Sequence, residues 1–211
     1  MDEYQQRQAG ILIENWQMFS TPEEEIKQMF ISLGKVIIES DTIYLIDYPF
    51  KSHRKVPCKD IINIDITAAP PTIRVGNELL FISATEKGRL TEFAQANHLP
   101  LVDRADIWDW LLVPFLDTEY SDEMHQRLNN LLSKYGLNKE KVAEIRQEVN
   151  PQMFKYNFDT MLWEWVHLGA LDVLGAMRAK YTPGDFADFY RRVMDIALLA
   201  DKIPGDTPES L

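Results

Sequence analysis

Cysteine is nearly missing from this chain: Cys58 is alone among 211 residues. That excludes an internal disulfide and the stapled frameworks of small secreted domains. The nine glycines are scattered, and nowhere do they gather into a turn that cradles a nucleotide phosphate. Positive charge is scarce as well, with 22 lysines and arginines against 33 acids and a net charge of -11. Phosphates are bound mainly by basic residues, so general affinity for nucleic acid or for an anionic membrane is not expected. Apolar runs are interrupted by ionisable groups before they reach the roughly 20 residues of a membrane span. Residues 1 to 10 are polar and lack the apolar segment of a signal peptide. Repeats, low-complexity tracts and long heptad runs do not occur either. A cytoplasmic protein that buries its own core without covalent help is the expectation.

What is there begins with residues 34 to 98, where short apolar and polar runs alternate as half-buried strands do. Val36, Ile37 and Ile38 precede a turn at Ser40-Asp41, and Ile43, Tyr44, Leu45 and Ile46 return from it as a hairpin. A polar run, His53 to Val56, is followed by Ile62, Ile64 and Ile66 at strict period two, and Ala68-Ala69-Pro70-Pro71 ends that strand. Ile73 and Val75 lead through a Gly76-Asn77 turn into an apolar strand over 79 to 82. Two residues of this type between apolar runs are a specific hairpin signal. Leu90, Phe93 and Ala94 then predict a helix over about 85 to 97, stopped by Leu99-Pro100.

Six or seven strands in a meander, closed by one helix, resemble the pleckstrin-homology superfold, in particular its bacterial PH-like and GRAM-like members. The residues carrying the resemblance are the Val56-Pro57 and Asp60-Ile61 step into the fourth strand, and the strand over 79 to 82 feeding the helix. The resemblance implies an antiparallel β-barrel closed by a helix. It also implies a rim that, in some relatives, binds acidic headgroups.

The flanks read as helical. Residues 1 to 33 form an N-terminal elaboration: an apolar cluster of Ile11, Leu12, Ile13, Trp16 and Phe19, then a helix announced by Ser20-Thr21-Pro22 and three glutamates. Its stripe of Ile26, Met29, Phe30 and Leu33 is expected to pack beside the barrel. Residues 99 to 203 form a helical domain, opening on a Trp- and Leu-rich segment broken by Pro114. Four helices follow, capped at Ser121, Asn138, Asn150-Pro151 and Thr182-Pro183. The third is central, since between Met161 and Met177 only Glu164, His167 and Asp172 are strongly polar. Gly169, Ala170, Gly175 and Ala176 there allow a close neighbour. Residues 204 to 211 read as a flexible tail. The expected fold is α+β: a PH-like antiparallel β-barrel closed by a helix, followed by a four-helix cluster.

Four constellations bear on function. Lys51-Ser52-His53-Arg54-Lys55, with Lys59 close behind, is the one dense basic run. If they converge, Lys51, His53, Arg54, Lys55 and Lys59 form an anion site. Against this, lysines and arginines also keep exposed edge strands unpaired, and alternation sends Arg54 to the face opposite His53 and Lys55. The basic residues that the resemblance implies in the first hairpin are replaced by Glu39, Ser40 and Asp41. Glu164-x-x-His167 has the spacing used by carboxylate-bridged di-iron bundles. Such sites need further glutamates, and Asp122-x-x-His125 lies in a first turn where the dipole already explains an acid. A Glu-His hydrogen bond is the simpler expectation, and no metal or other cofactor is expected. Cys58 beside His53 lacks the elbow of a nucleophile pair and reads as a small hydrophobe. Trp108, Trp110, Phe115, Trp163 and Trp165 pack between the halves, or else Trp108 and Trp110 face a partner. Together these features point to a non-catalytic interaction or scaffold protein that takes a protein partner or a second copy of itself. Headgroup binding through residues 51 to 59, and a metal-dependent enzyme using Glu164 and His167, are the alternatives.

Overall fold

The computed structural model describes residues 22 to 116, 121 to 159 and 167 to 202. Strands β1 (Lys35–Ile38), β2 (Thr42–Tyr48) and β3 (Lys51–Pro57) form one antiparallel sheet in that order. Their first turn is closed by the Glu39 N–H donating to the Thr42 carbonyl at 2.9 Å. Gly34, just before β1, has φ +68°, and a Cβ there would lie 2.2 Å from the Ile46 carbonyl oxygen. Only glycine lets the chain enter the sheet so close to β2.

Strands β4 (Ile61–Asp65), β5 (Thr72–Val75) and β6 (Glu78–Phe81) form a second meander. Helix α1 (Glu23–Met29) precedes the two sheets in the chain, and helix α2 (Lys87–Ala96) follows β6. After α2, the two-residue β7 (Leu101–Val102) pairs parallel with β4, giving the order β6-β5-β4-β7. Ile43, Leu45 and Val56 from the first sheet meet Ile64, Ile73 and Leu80 from the second, and Leu90 and Phe93 of α2 cover them. Alternate burial runs along β1 and through residues 43 to 46 of β2, whereas on β4 Ile62 is exposed and Ile64 buried across a register shift between Ile61 and Asn63, and on β6 Leu79, Leu80 and Phe81 are buried in succession.

The expected barrel does not close. A 3-10 turn, Cys58–Asp60, separates β3 from β4, and the second edge of β4 is taken by β7 rather than by β3, so among the described residues no strand pair joins the two sheets. The α+β class stands as two open sheets and a covering helix.

The helical half contains α3 (Ile107–Leu112), α4 (Asp122–Lys134), α5 (Lys139–Asp159), α6 (Ala170–Arg178) and α7 (Pro183–Ala197). The caps read from the sequence are in place at Ser121, whose Oγ accepts from Met124 N at 3.2 Å, and at Asn138, whose Oδ1 accepts from Lys141 N at 2.9 Å. Thr182 Oγ1 likewise accepts from Asp185 N at 3.4 Å, with Pro183 in the first turn. Asn150-Pro151 starts no helix, a correction: α5 runs through it. Val149, Gln152, Met153 and Tyr156 continue the buried stripe begun by Val142 and Ile145, while Pro151 faces solvent. Burial of that face overrides the local proline signal. The expected third helix is thus divided between the end of α5 and a separate α6, with residues 160 to 166 outside the described residues.

Contrary to expectation, α1 packs on α6 and α5 rather than beside the sheets. Met29 enters the helical core, Lys155 Nζ meets Glu25 Oε1 at 2.9 Å, and a Cβ on Gly175 of α6 would lie 2.3 Å from the Met29 carbonyl oxygen. The close approach expected of Gly175 is made to α1.

Strand β6 divides the two interiors. Leu80 and Ile82 point into the sheet core, and Leu79 and Phe81 into the helical core. Arg104 adds a polar tie across the same boundary. Its Nε donates to Asp201 Oδ1 at 2.9 Å and its Nη2 to Asn63 Oδ1 at 2.7 Å, while Arg74 Nη1 meets Asp201 Oδ2 at 2.6 Å. Asp65, 3.9 Å from Arg104 Nη1, is held instead by the backbone N–H groups of Thr67, Ala68 and Arg104 at 2.9 to 3.0 Å.

Candidate functional site

The two-residue link between β2 and β3 is Pro49-Phe50, and it carries an aromatic ring against the helical half. Phe50 lies 5.5 Å from Tyr48, 6.2 Å from Phe81, 5.0 Å from Tyr190 and 6.4 Å from Phe186, with the last ring nearly parallel. Phe186 and Tyr190 come from one face of α7, four residues apart, positioned by the Thr182-Pro183 start of that helix. The Tyr48 hydroxyl accepts the Phe81 N–H at 3.0 Å, and burial pushes its pKa up. Burial does the same to Tyr190, with the charge of Glu78 adding to it. Both phenols stay neutral.

Beside these rings a cleft of about 810 Å³ opens between the hairpin tip, α7 and the end of α6. Phe50, Tyr181, Phe186 and Tyr190 supply its apolar walls. Lys51, Arg54, Arg178 and Arg191 supply cations, and among the described residues Glu78 is the one carboxylate lining it. Arg54 pairs with Glu78 at 2.5 Å, and Arg191 pairs with Asp188 one turn back on α7. Lys51 and Arg178 are exposed and have no acidic partner among the described residues. Tyr181 donates to Glu148 Oε1 at 2.7 Å, and burial followed by that bond pushes its hydroxyl up to about 12. In a chain of net charge -11 this is a basic, ring-lined concavity. Its volume lies within the range typical of ligand clefts, about 300 to 1,000 Å³.

The structure brings only part of the basic run here. Lys51 and Arg54 line the cleft. Lys55 lies opposite Tyr44 in register, with its ammonium 5.9 Å from that ring's centre, away from the sheet core. Lys59 sits in the turn beyond the far end of β3, about 20 Å of strand away from Lys51. The His53 side chain lies outside the described residues. Five converging cations are therefore not what the fold provides, because β3 is an extended edge strand and spreads them along its length.

Trp108 and Trp110, candidates for a partner surface, are 1% and 4% exposed. The Trp108 indole donates to the Val193 carbonyl at 3.0 Å, and Trp110 packs on Tyr135 with ring centres 5.4 Å apart. Both are spent on the core between α3 and its neighbours, which corrects the partner-surface alternative. Trp163 and Trp165 lie outside the described residues.

Glu164 also lies outside them, whereas His167 is paired differently from expectation. Its Nδ1 is 2.9 Å from Asp109 Oδ1 and its Nε2 is 3.5 Å from Asp106 Oδ2. Its ring N–H groups donate to the Asp106 and Asp109 carboxylates, which raises its pKa to about 10, so it is an imidazolium at neutral pH. Asp172 nearby accepts from Tyr156 Oη at 2.9 Å and from Gly169 N at 2.8 Å, and burial raises its pKa. Asp106 meanwhile caps α3 by accepting from Trp108 N and Asp109 N. These contacts make a tie between α3 and the entry to α6. Among the described residues no group of three or more His, Cys, Asp or Glu side chains is placed to hold a metal ion. Cys58 is half-buried against the sheet core.

Arg178, Phe186 and Tyr190 were not singled out by sequence reasoning. The spacing of Phe186 and Tyr190 was a readable signal, but its opposite wall, Phe50, is 136 residues away from Phe186 and nothing local joins them.

Comparison of the chain with protein-family models, with curated proteins and with solved structures gives no match. No helix among the described residues is long and apolar enough to cross a membrane.

Proposed function

We propose that this chain is a non-catalytic protein-interaction module of the cytoplasm, built on a PH-like sheet unit, that receives its partner in the cleft between Phe50 and α7. The observation that carries this is the cleft: four aromatic walls rimmed by cations, two of them without acidic partners among the described residues. Rings and cations hold a ligand, and the lining carboxylate Glu78 is already engaged by Arg54. Aromatic and arginine side chains are also those that dominate binding energy at protein interfaces. Support for a PH-like unit comes from two consecutive three-stranded meanders covered by the helix that follows them. Its departures are the open seam and β7. What favours a protein over a lipid headgroup is that Lys55 lies over the Tyr44 ring and Lys59 sits in the turn beyond the far end of β3, so these cations are spread along the strand rather than gathered with Lys51 around one phosphate.

A photo-crosslinking amino acid placed at Ala187, an exposed cleft position, tests this in cells. The expected result is a discrete protein adduct that is absent when the same group replaces Gln95 on α2, outside the cleft. Identical adducts from both positions, or none from Ala187, would overturn it.

A further inference from the structure

The cleft has a second component that its rings do not explain: it adjoins an open strand edge. β3 pairs with β2 on one side, and no described strand pairs with the other. The remaining edges near the cleft are treated differently. On β6, Leu79 N donates to Met194 Sδ at 3.3 Å and Phe81 N donates to the Tyr48 hydroxyl at 3.0 Å. The outer backbone groups of β3 have no such partner among the described residues.

Resting on the binding-module reading, we propose that the partner is an extended acidic segment. It adds to β3 as a further strand of the first sheet and lays one aromatic or bulky aliphatic side chain in the cleft, onto the packed rings of Phe50, Phe186 and Tyr190. Three observations select this occupant. Backbone groups of an edge strand recognise any extended chain, and the added strand's alternate side chains then fall on known faces. Lys51 and Arg54 at the cleft, Lys55 on the other face and Arg178 across the gap present positive charge to whatever lies along that edge. A row of glutamates at period two answers it. A second copy of β3 does not, because like charges directly opposite one another in a sheet are destabilising. Basic edge residues thus exclude self-pairing while admitting an acidic partner. The near-parallel Phe50 and Phe186 rings supply the seat for the anchoring side chain.

The probe is a short fluorescein-labelled peptide alternating glutamate with valine around one phenylalanine, titrated against the full chain by fluorescence anisotropy. Companion peptides carry glutamine for glutamate, or N-methyl groups on alternate backbone nitrogens. The expected result is binding of the acidic peptide, weakened by salt, with shifted backbone amide resonances along β3. Affinity falls by about tenfold or more in a Lys51→Glu, Arg178→Glu variant, as for close charge pairs at interfaces. Both substituted residues are exposed, so an unchanged melting curve shows that the variant is folded. The N-methylated peptide loses binding, which a simple apolar pocket would not require. Equal binding of the glutamate and glutamine peptides, or undiminished binding of the N-methylated one, overturns the proposal. If the acidic peptide fails while a crosslinker at Ala187 still captures a discrete protein, this inference falls and the binding-module reading stands. Pelleting with phosphatidylserine vesicles that is lost in the variant, without peptide binding, overturns both.

Discussion

His167 illustrates how a residue chosen for one chemistry is used for another. Its spacing from Glu164 pointed to a Glu-His hydrogen bond, with a metal ligand as the alternative, yet its ring lies between Asp106 and Asp109, which arrive from a different element. Below the ordinary histidine value of 6.5 the ring is charged whether the chain is folded or not, and the pairing contributes in full. As pH rises from 6.5 towards about 10 the unfolded chain loses its proton while the folded one keeps it, so stability declines, and above about 10 the contribution is gone. A His167→Gln variant is therefore expected to be less stable at neutral pH and to show a flatter fall in stability between those limits. Urea unfolding at a series of pH values measures this, and an unaltered slope would show that the tie does not exist. Residues whose partners are local were legible in the sequence: the caps Ser121, Asn138 and Thr182, and the turn at Gly76-Asn77 with φ +57° at the glycine. Arg104 and Asp201 were not, because 97 residues separate them and each alone reads as an ordinary surface charge.

At the scale of elements, short apolar and polar runs placed six strands and helical periodicity placed α2, since such patterns are imposed by which face is buried. The two-residue β7 escaped because a pair of apolar residues has no period to read. Helix α5 was divided at Asn150-Pro151 because the pair imitates a capped start, whereas the buried stripe on either side runs unbroken. Pro151 removes a backbone donor from the middle of that helix, and the neighbouring Glu148 carbonyl accepts from Lys180 Nζ at 3.2 Å. Proline is about 3 kcal/mol worse than alanine in a helix interior, partly offset by the freedom it removes from the unfolded chain. Pro151→Ala is accordingly expected to raise stability by about 2 kcal/mol, visible as a higher urea midpoint with the same slope. A lower midpoint would mean that the proline bend is needed for α5 to meet its neighbours. The open seam between the sheets was illegible for a related reason: strand order and edge pairing are decided by contacts across the chain, not within a strand.

At the scale of the whole molecule, the apparent boundary near residue 98 separates two kinds of sequence without separating two cores. Leu79 and Phe81 leave the sheet unit to enter the helical core, and Phe50 of the hairpin tip packs on α7. Exposing Leu79 and Phe81 alone costs roughly 3 to 6 kcal/mol, comparable with the stability of a small domain. Residues 34 to 98 expressed without the rest are expected to lack a cooperative melt and to self-associate, while the full chain unfolds in a single transition. Calorimetry and gel filtration decide the matter, and a monomeric fragment with its own sharp transition would refute it. The candidate cleft follows the same logic, for its walls come from both sides of residue 98 and neither side contains a site by itself.

A strand with an interior on each face is a poor candidate for exchange by recombination. A genetic crossover that moved the sheets into another protein would carry a bare Leu79 and Phe81 with them, and the recipient would have to supply a matching set of helices. The heritable unit is then the joined pair, and relatives of this chain are expected to gain and lose the two halves together.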